Sequence, residues 1–313
     1  MLFQYFNSAR PVLPIDGTDL ACEAWDGGDG LERTEETIEG YDGTFRIERM
    51  QIVTEGAAKR LGRRRGRYIT LTLPFSLAAL GTESCRDVGD LLSCELTKLA
   101  CELCGRLPDG SLGVLVAGLG NSDMTADAIG PSTVAHITAT RHLRELDSDL
   151  YRALNCSSVS VISPGVLGRT GIESADVLRG AIGAVRPDLF VAVDALAARS
   201  CDRLGCTIQL TDSGITPGSG VDNGRGALTH KTLGVPIISI GVPTVVGSST
   251  LILDALIKAG MVSDGRHDLP PKLRAMLENR QSFFVSPRDA DLITAAAADI
   301  ISRAINSAFG VVE

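Results

Sequence analysis

Residues 113–118 read Gly-Val-Leu-Val-Ala-Gly, and residues 189–194 read Leu-Phe-Val-Ala-Val-Asp. Each is a short, unbroken apolar run closed by a polar or turn-forming residue. Alternation is missing because neither face of such a strand meets water, and strands buried on both faces belong to parallel sheets covered by helices. The segments around these runs fit that plan. Between them, the apolar spacing predicts a helix over Ala126 to Leu143 with Thr125 as N-cap, and a strand over Val159 to Ser163 closed by Pro164-Gly165. A second helix is expected over Ser174 to Val185, capped by Ser174. Downstream come strands at Thr207 to Leu210 and Val235 to Val242, then a helix at Ser249 to Ala259. Ser286-Pro287 opens a long C-terminal helix through Phe309, with proline at the first helical position.

Upstream, Thr44 to Val53 and Arg67 to Leu73 alternate as strands, Leu92 to Leu103 has helical spacing, and the first 35 or so residues read as irregular. The fold class is therefore α/β. It is a three-layer α/β/α arrangement on a mostly parallel central sheet, with a β-rich N-terminal elaboration near residues 40–75.

Composition limits the function. With 44% hydrophobic residues in 313, the chain holds far more apolar side chains than a disordered protein. The length allows two domains, but no low-complexity linker divides it, so one main domain is expected. No apolar run approaches a membrane span, and the N-terminus lacks a basic start followed by an apolar stretch, so a cytoplasmic protein without membrane association is expected. The net charge of −8 argues against nucleic acid as a direct partner. The basic run Lys59 to Arg67 is expected to be a solvated loop. Eight cysteines in a chain without an export signal are expected as free thiols, and Cys101 and Cys104 as fillers of a helix face.

In parallel sheets, ligands bind beyond the carboxyl ends of the strands. The run after residue 118, Gly118-Leu-Gly-Asn121-Ser-Asp123-Met-Thr-Ala-Asp127, has the glycines of a phosphate loop but neither its lysine nor its spacing. Asp127 fits either a catalytic carboxylate or a partner of a helix dipole. Asp194 closes its strand, where an ionised carboxylate needs partners, and it fits either a catalytic group or a helical cap. If the two strands are neighbours, the two aspartates converge. Two close carboxyl groups share a proton, so one accepts from water while the other donates to the reacting amide. The same pair could instead hold a metal. No histidine pairs with a serine or cysteine nucleophile. Asn121 and the glycine-rich loop Thr211 to Arg225, with Gly214, Pro217, Gly218 and Ser219, are candidates for lining a substrate site.

These segments, read collinearly, resemble the spore germination protease family. The likeness is carried by Gly118-Leu-Gly-Asn with Asp127-Ala-Ile-Gly-Pro, by Pro164-Gly-Val with Thr170-Gly-Ile-Glu173, and by Asp194-Ala-Leu-Ala-Ala-Arg199. It continues in Thr207-Ile-Gln209, Gly214-Ile-Thr-Pro-Gly-Ser-Gly-Val221, Gly241-Val-Pro-Thr-Val-Val246 and Phe284-Val-Ser-Pro-Arg-Asp289. The chain departs from the family pattern at Ala126 and Thr216, where members carry proline and histidine.

The resemblance implies a fold like that of hydrogenase maturation proteases. It implies an aspartic-type endopeptidase, without metal or cofactor, that degrades small acid-soluble DNA-protecting spore proteins during germination. It further implies a homotetrameric, self-processing zymogen in the spore core. The catalytic pair carries over onto Asp127 and Asp194. The processing site carries over onto the Asp19-Leu20 bond, giving a propeptide of residues 1–19 and a peptidase domain of residues 20–313. A hydrogenase maturation-type peptidase and a non-catalytic peptide-binding homologue remain open as alternatives.

Overall fold

A computed structural model describes residues 18–217, 226–262, 269–278 and 283–311. Among them run nine strands of one sheet: β1 Leu31–Gly40, β2 Gly43–Ile52, β3 Gly66–Thr72, β4 Gly113–Gly118, β5 Ser158–Ile162, β6 Leu189–Ala198, β7 Thr207–Thr211, β8 Ile237–Gly247 and β9 Phe284–Val285. The order across the sheet is β1-β2-β3-β7-β8-β6-β4-β5, with β9 paired to the end of β8. β8, β6, β4 and β5 are parallel; β1, β2, β3 and β7 extend the same sheet in antiparallel fashion up to β8. The β-rich stretch near residues 40–75 is thus part of the central sheet.

Helices cover both faces. On one, the helix Thr82–Cys104 presents Val88, Leu92, Leu96 and Leu99, one stripe at helical spacing, and the helix Ala290–Ala308 presents Ala297, Ile301, Ala304 and Ile305. They pack on Val114 and Val116 of β4, Val191 and Val193 of β6, and Ile238 and Ile240 of β8. On the other face, Leu178 of the helix Ser174–Val185 packs with Leu115, Phe190 and Ala192. Leu20, from the N-terminal segment, belongs to this second layer.

Several local expectations are corrected. The helix predicted over Ala126 to Leu143 is a 3-10 turn at Thr125–Asp127 followed by a helix over Ile129–Val134 alone. Side chains divert the chain beyond it: Asn306 accepts from the Thr138 N–H and donates to the His136 carbonyl, while Thr140 accepts from the Val159 N–H. None of the three expected caps acts as one. Thr125 lies inside the 3-10 turn, Ser174 Oγ donates to the Gly165 carbonyl, and Ser286 Oγ donates to the Thr244 carbonyl. These hydroxyls tie loops together instead. β1 was hidden because it is an edge strand, exposed along almost its whole length, so nothing forces its side chains to alternate. The eight cysteines are unpaired.

Two glycines let separate stretches of backbone come into contact. A Cβ on Gly118 would run into the backbone of Gly130, and one on Gly130 into the backbone of Leu119 and the carbonyl of Val193. Gly183, in contrast, is exposed on its helix with open space around it. Gly130→Ala is therefore expected to lower unfolding free energy by about 2 kcal/mol, since overpacking against backbone has no flexible neighbour to give way. Gly183→Ala is expected to raise it by about 0.5 kcal/mol. Urea denaturation of the two variants checks both signs.

Candidate active site

The site begins where β4 ends. One residue beyond it, the Leu119 N–H continues the ladder to the Val193 carbonyl at 2.8 Å. Gly120 then turns with φ of 109°, a conformation that suits glycine, and its Cα is pressed against Asp127. The Asn121 N–H donates to Asp127 Oδ2 at 2.8 Å. Two hydroxyls hold the turn that carries Asp127: Thr244 of β8 donates to the Ala126 carbonyl at 2.6 Å, and Thr294 of the C-terminal helix donates to the Thr125 carbonyl at 2.9 Å.

Asp194 was expected at the tip of its strand. It stands inside β6, which runs on to Ala198, because β6 and β8 stay paired past the end of β4. Its side chain points to the face of Phe190 and Ala192, by the alternation of the strand. Oδ1 accepts the Ala195 N–H at 2.9 Å, and only 4% of the residue is exposed. Across the sheet, Gly241 of β8 lies opposite Asp194 on one side and opposite Gln209 of β7 on the other.

The two carboxyl groups face different environments. Burial pushes Asp127 above the usual carboxylate range, and the Asn121 N–H partly offsets this. Asp194 is held well above it, first by burial and then by the neighbouring charges of Asp127 and Asp19, against the single Ala195 N–H. The structure thus brings together the two aspartates that the sequence singled out, Asp194 within β6 and Asp127 on the turn that follows the neighbouring strand β4.

Asp19 lies beside them. The segment from Thr18 follows the free edge of β6 beyond β4: the Asp19 N–H donates to the Ala197 carbonyl, and the Ala197 N–H donates back to Asp19 Oδ2, both at 2.8 Å. Farther along, the N–H groups of Arg199 and Ser200 donate to the Glu23 carboxylate at 2.7 and 2.9 Å. Gln209 bridges the segment, accepting from the Ala21 N–H at 2.7 Å and donating to the Asp19 carbonyl at 3.2 Å. Leu20 and Ala21 are fully enclosed. The run Lys59 to Arg67, expected to be solvated, takes part: Arg63 donates to the Thr18 and Leu20 carbonyls, and Arg64 to Thr216 Oγ1 at 2.5 Å. A single guanidinium nitrogen, Nη2 of Arg63, shared between two carbonyls of a distant segment leaves no trace in local sequence, which is why this role was missed.

Of the proposed lining residues, Asn121 borders a cavity of about 340 Å³ together with Gly120, Ser163, Pro164, Arg169 and Thr170. Gly214, with φ of 86°, lies against the Leu228 carbonyl where Ile215 and Leu228 pair to close the base of the loop. Pro217 follows at the loop base, and Gly218 and Ser219 lie outside the described residues. Among the described residues no three His, Cys, Asp or Glu side chains group as metal ligands do, and no helix is long and apolar enough to cross a membrane.

Comparison with known proteins agrees with the sequence motifs. A germination protease of Clostridium acetobutylicum is 34% identical, the alignment covering 96% of this chain and 95% of that one. One from Caldanaerobacter subterraneus is 38% identical over 93% of each chain, and one from Priestia megaterium 38% identical over 82% of this chain and 67% of that one. Among solved structures, the NiFe hydrogenase maturation protease HycI from Thermococcus kodakarensis aligns over 53% of this chain and 95% of its own, at 19% identity and a TM-score of 0.30. The sequence relatives mark the chain as a peptidase. The profile of the family described as "Germination protease" matches residues 26–260, and the chain belongs to that family.

The electrostatics make a prediction with a definite sign. A carboxyl whose pKa is higher folded than unfolded takes up a proton on folding, so it costs stability as pH rises from its ordinary value of 3.8 through its folded value. Asp194→Asn keeps the Oδ1 acceptor and removes the titration. The variant is expected to melt above the parent at pH 7.5, with the difference closing at pH 4 or below. Thermal melting at the two pH values checks it.

Proposed function

We propose that this chain is an endopeptidase made as a zymogen, that Asp127 and Asp194 activate the attacking water, and that its first substrate is its own Asp19-Leu20 bond. The observation that carries this is the position of that bond: its acidic residue is hydrogen-bonded along β6 and close enough for its charge to act on Asp194. Residues 1–19 are then the propeptide and residues 20–313 the peptidase domain.

Burial favours the shared proton on Asp194, while Asp127, half-buried and facing a backbone N–H, is the better base. In the reaction, water gives a proton to Asp127 and its oxygen bonds to the Asp19 carbonyl carbon. The C–N bond then breaks as the leaving Leu20 nitrogen takes the proton of Asp194. No step in this scheme calls on a metal or cofactor.

The segment Thr18-Asp-Leu-Ala-Cys-Glu23 defines what fits the cleft: a peptide with an acidic residue before the bond, a leucine after it and, past a turn beginning at Ala21, a carboxylate farther on. Such segments must be locally unfolded to reach the β6 edge. Small acid-soluble spore proteins, degraded during germination in the spore core, are the substrates proposed on the strength of the family, and a homotetramer is the proposed assembly. Intact mass after incubation at mildly acidic pH tests the reading. The parent is expected to lose residues 1–19, while Asp127→Asn and Asp194→Asn stay full length and folded. Normal processing in either variant overturns it.

A further inference from the structure

We propose that Gln209 is a catalytic residue of this site: its amide binds the carbonyl oxygen of the bond to be cut and stabilises the charge that develops there. This rests on the Asp19-Leu20 bond being the one processed. Gln209 is 5% exposed, and a buried carboxamide must spend both ends on hydrogen bonds. Both go to the backbone around this one bond. Nε2 donates to the carbonyl of Asp19, just before it, and Oε1 accepts from the N–H of Ala21, the second residue after it.

The fold aims the amide there. Gln209 and Asp194 occupy one register line, on either side of Gly241, so both side chains rise from the same face of the sheet. Gly241 puts no side chain of its own between them, and Leu196 packs over it as an apolar floor. The flanking carbonyls, of Thr18 and Leu20, are taken by Arg63. The arrangement fixes the peptide on both sides of the bond and leaves the Asp19 oxygen to an uncharged donor.

The contact gains strength along the reaction. At 3.2 Å the bond to the neutral carbonyl is a long one. When the water oxygen bonds to the carbon, the π electrons move onto the carbonyl oxygen, and the N–H then faces an anion. The pair returns to re-form C=O as the C–N bond breaks and the Leu20 nitrogen takes its proton from Asp194. A donor already in place helps most where charge appears, so it acts on the rate more than on binding.

Two variants of the full chain test this: Gln209→Leu, which removes both hydrogen bonds, and Gln209→Glu, which keeps the acceptor but donates only when protonated. The measurement is the first-order rate of self-processing by intact mass, with thermal melting as the check on folding. Gln209→Leu is expected to process about 100-fold more slowly than the parent while melting within a few degrees of it. Gln209→Glu is expected to recover rate as pH falls and lose it as pH rises, relative to the parent at each pH. That profile would not arise from a merely structural role. A Gln209→Leu chain that folds and processes at the parental rate overturns the proposal, as does a Gln209→Glu profile parallel to the parent's; both leave Asp19-Leu20 as the processed bond. A parent cut at some other bond overturns the processing reading itself, and the role of Gln209 with it.

Discussion

The backbone of Gly130 rests on Leu119 and on the carbonyl of Val193, and the position of Asp127 depends on that contact. The chain leaving β4 has to rise, turn and descend again within a dozen residues before its next helix packs on the sheet. With no side chain at Gly118 or Gly130, the two backbones touch, and the turn between them stays low over the neighbouring strand. A Cβ at either place would lift the turn away from β6. The hydroxyls of Thr244 and Thr294 then fix it from two further elements, so that its place is set by the sheet and the C-terminal helix together. Precision of this kind is what a pair of interacting carboxyl groups needs, since their coupling depends on separation.

Depth in the sheet makes two chemically identical side chains unequal. Asp127 stands on a turn at the rim, with a backbone donor and partial access to water. Asp194 stands within a strand paired on one side and covered by the N-terminal segment on the other. The continuation of β6 and β8 past β4 is responsible. It creates a length of strand with one free edge, and the N-terminal segment meets that edge through one backbone hydrogen bond at Ala197 and through the Asp19 and Glu23 carboxylates, which accept the remaining N–H groups. The place of the N-terminal segment beside Asp194 thus follows from the length of β6.

The parallel core was legible in the sequence because buried strands must be apolar throughout: β4 spans the residues expected, and β6 begins where it was expected to. The aspartates were legible for a related reason, as charged residues closing or following such runs. Elements whose form depends on partners distant in sequence were not. The end of the helix Ile129–Val134 is enforced by Asn306 and Thr140, and the true extent of β6 by β8. β1 lacks alternation because no layer covers it. Gln209 stood within a motif, yet its burial and its two partners emerge only when β7 is laid against β8 and residues 18–21 are laid over both.

Leu20 is wholly enclosed, and so is the nitrogen that joins it to Asp19. Under the proposed cleavage, a neutral amide in this dry place becomes two ions, a terminal carboxylate and an ammonium group. Neither can stay out of water cheaply, and the new carboxylate appears beside aspartates that already resist further negative charge. The cut ends therefore repel their own resting place. The charges set free at the cut thus favour departure of the new end at Asp19, and the step has little tendency to run backwards. The same enclosure that holds the uncut chain in register would act, once the bond is gone, as an ejector and a ratchet.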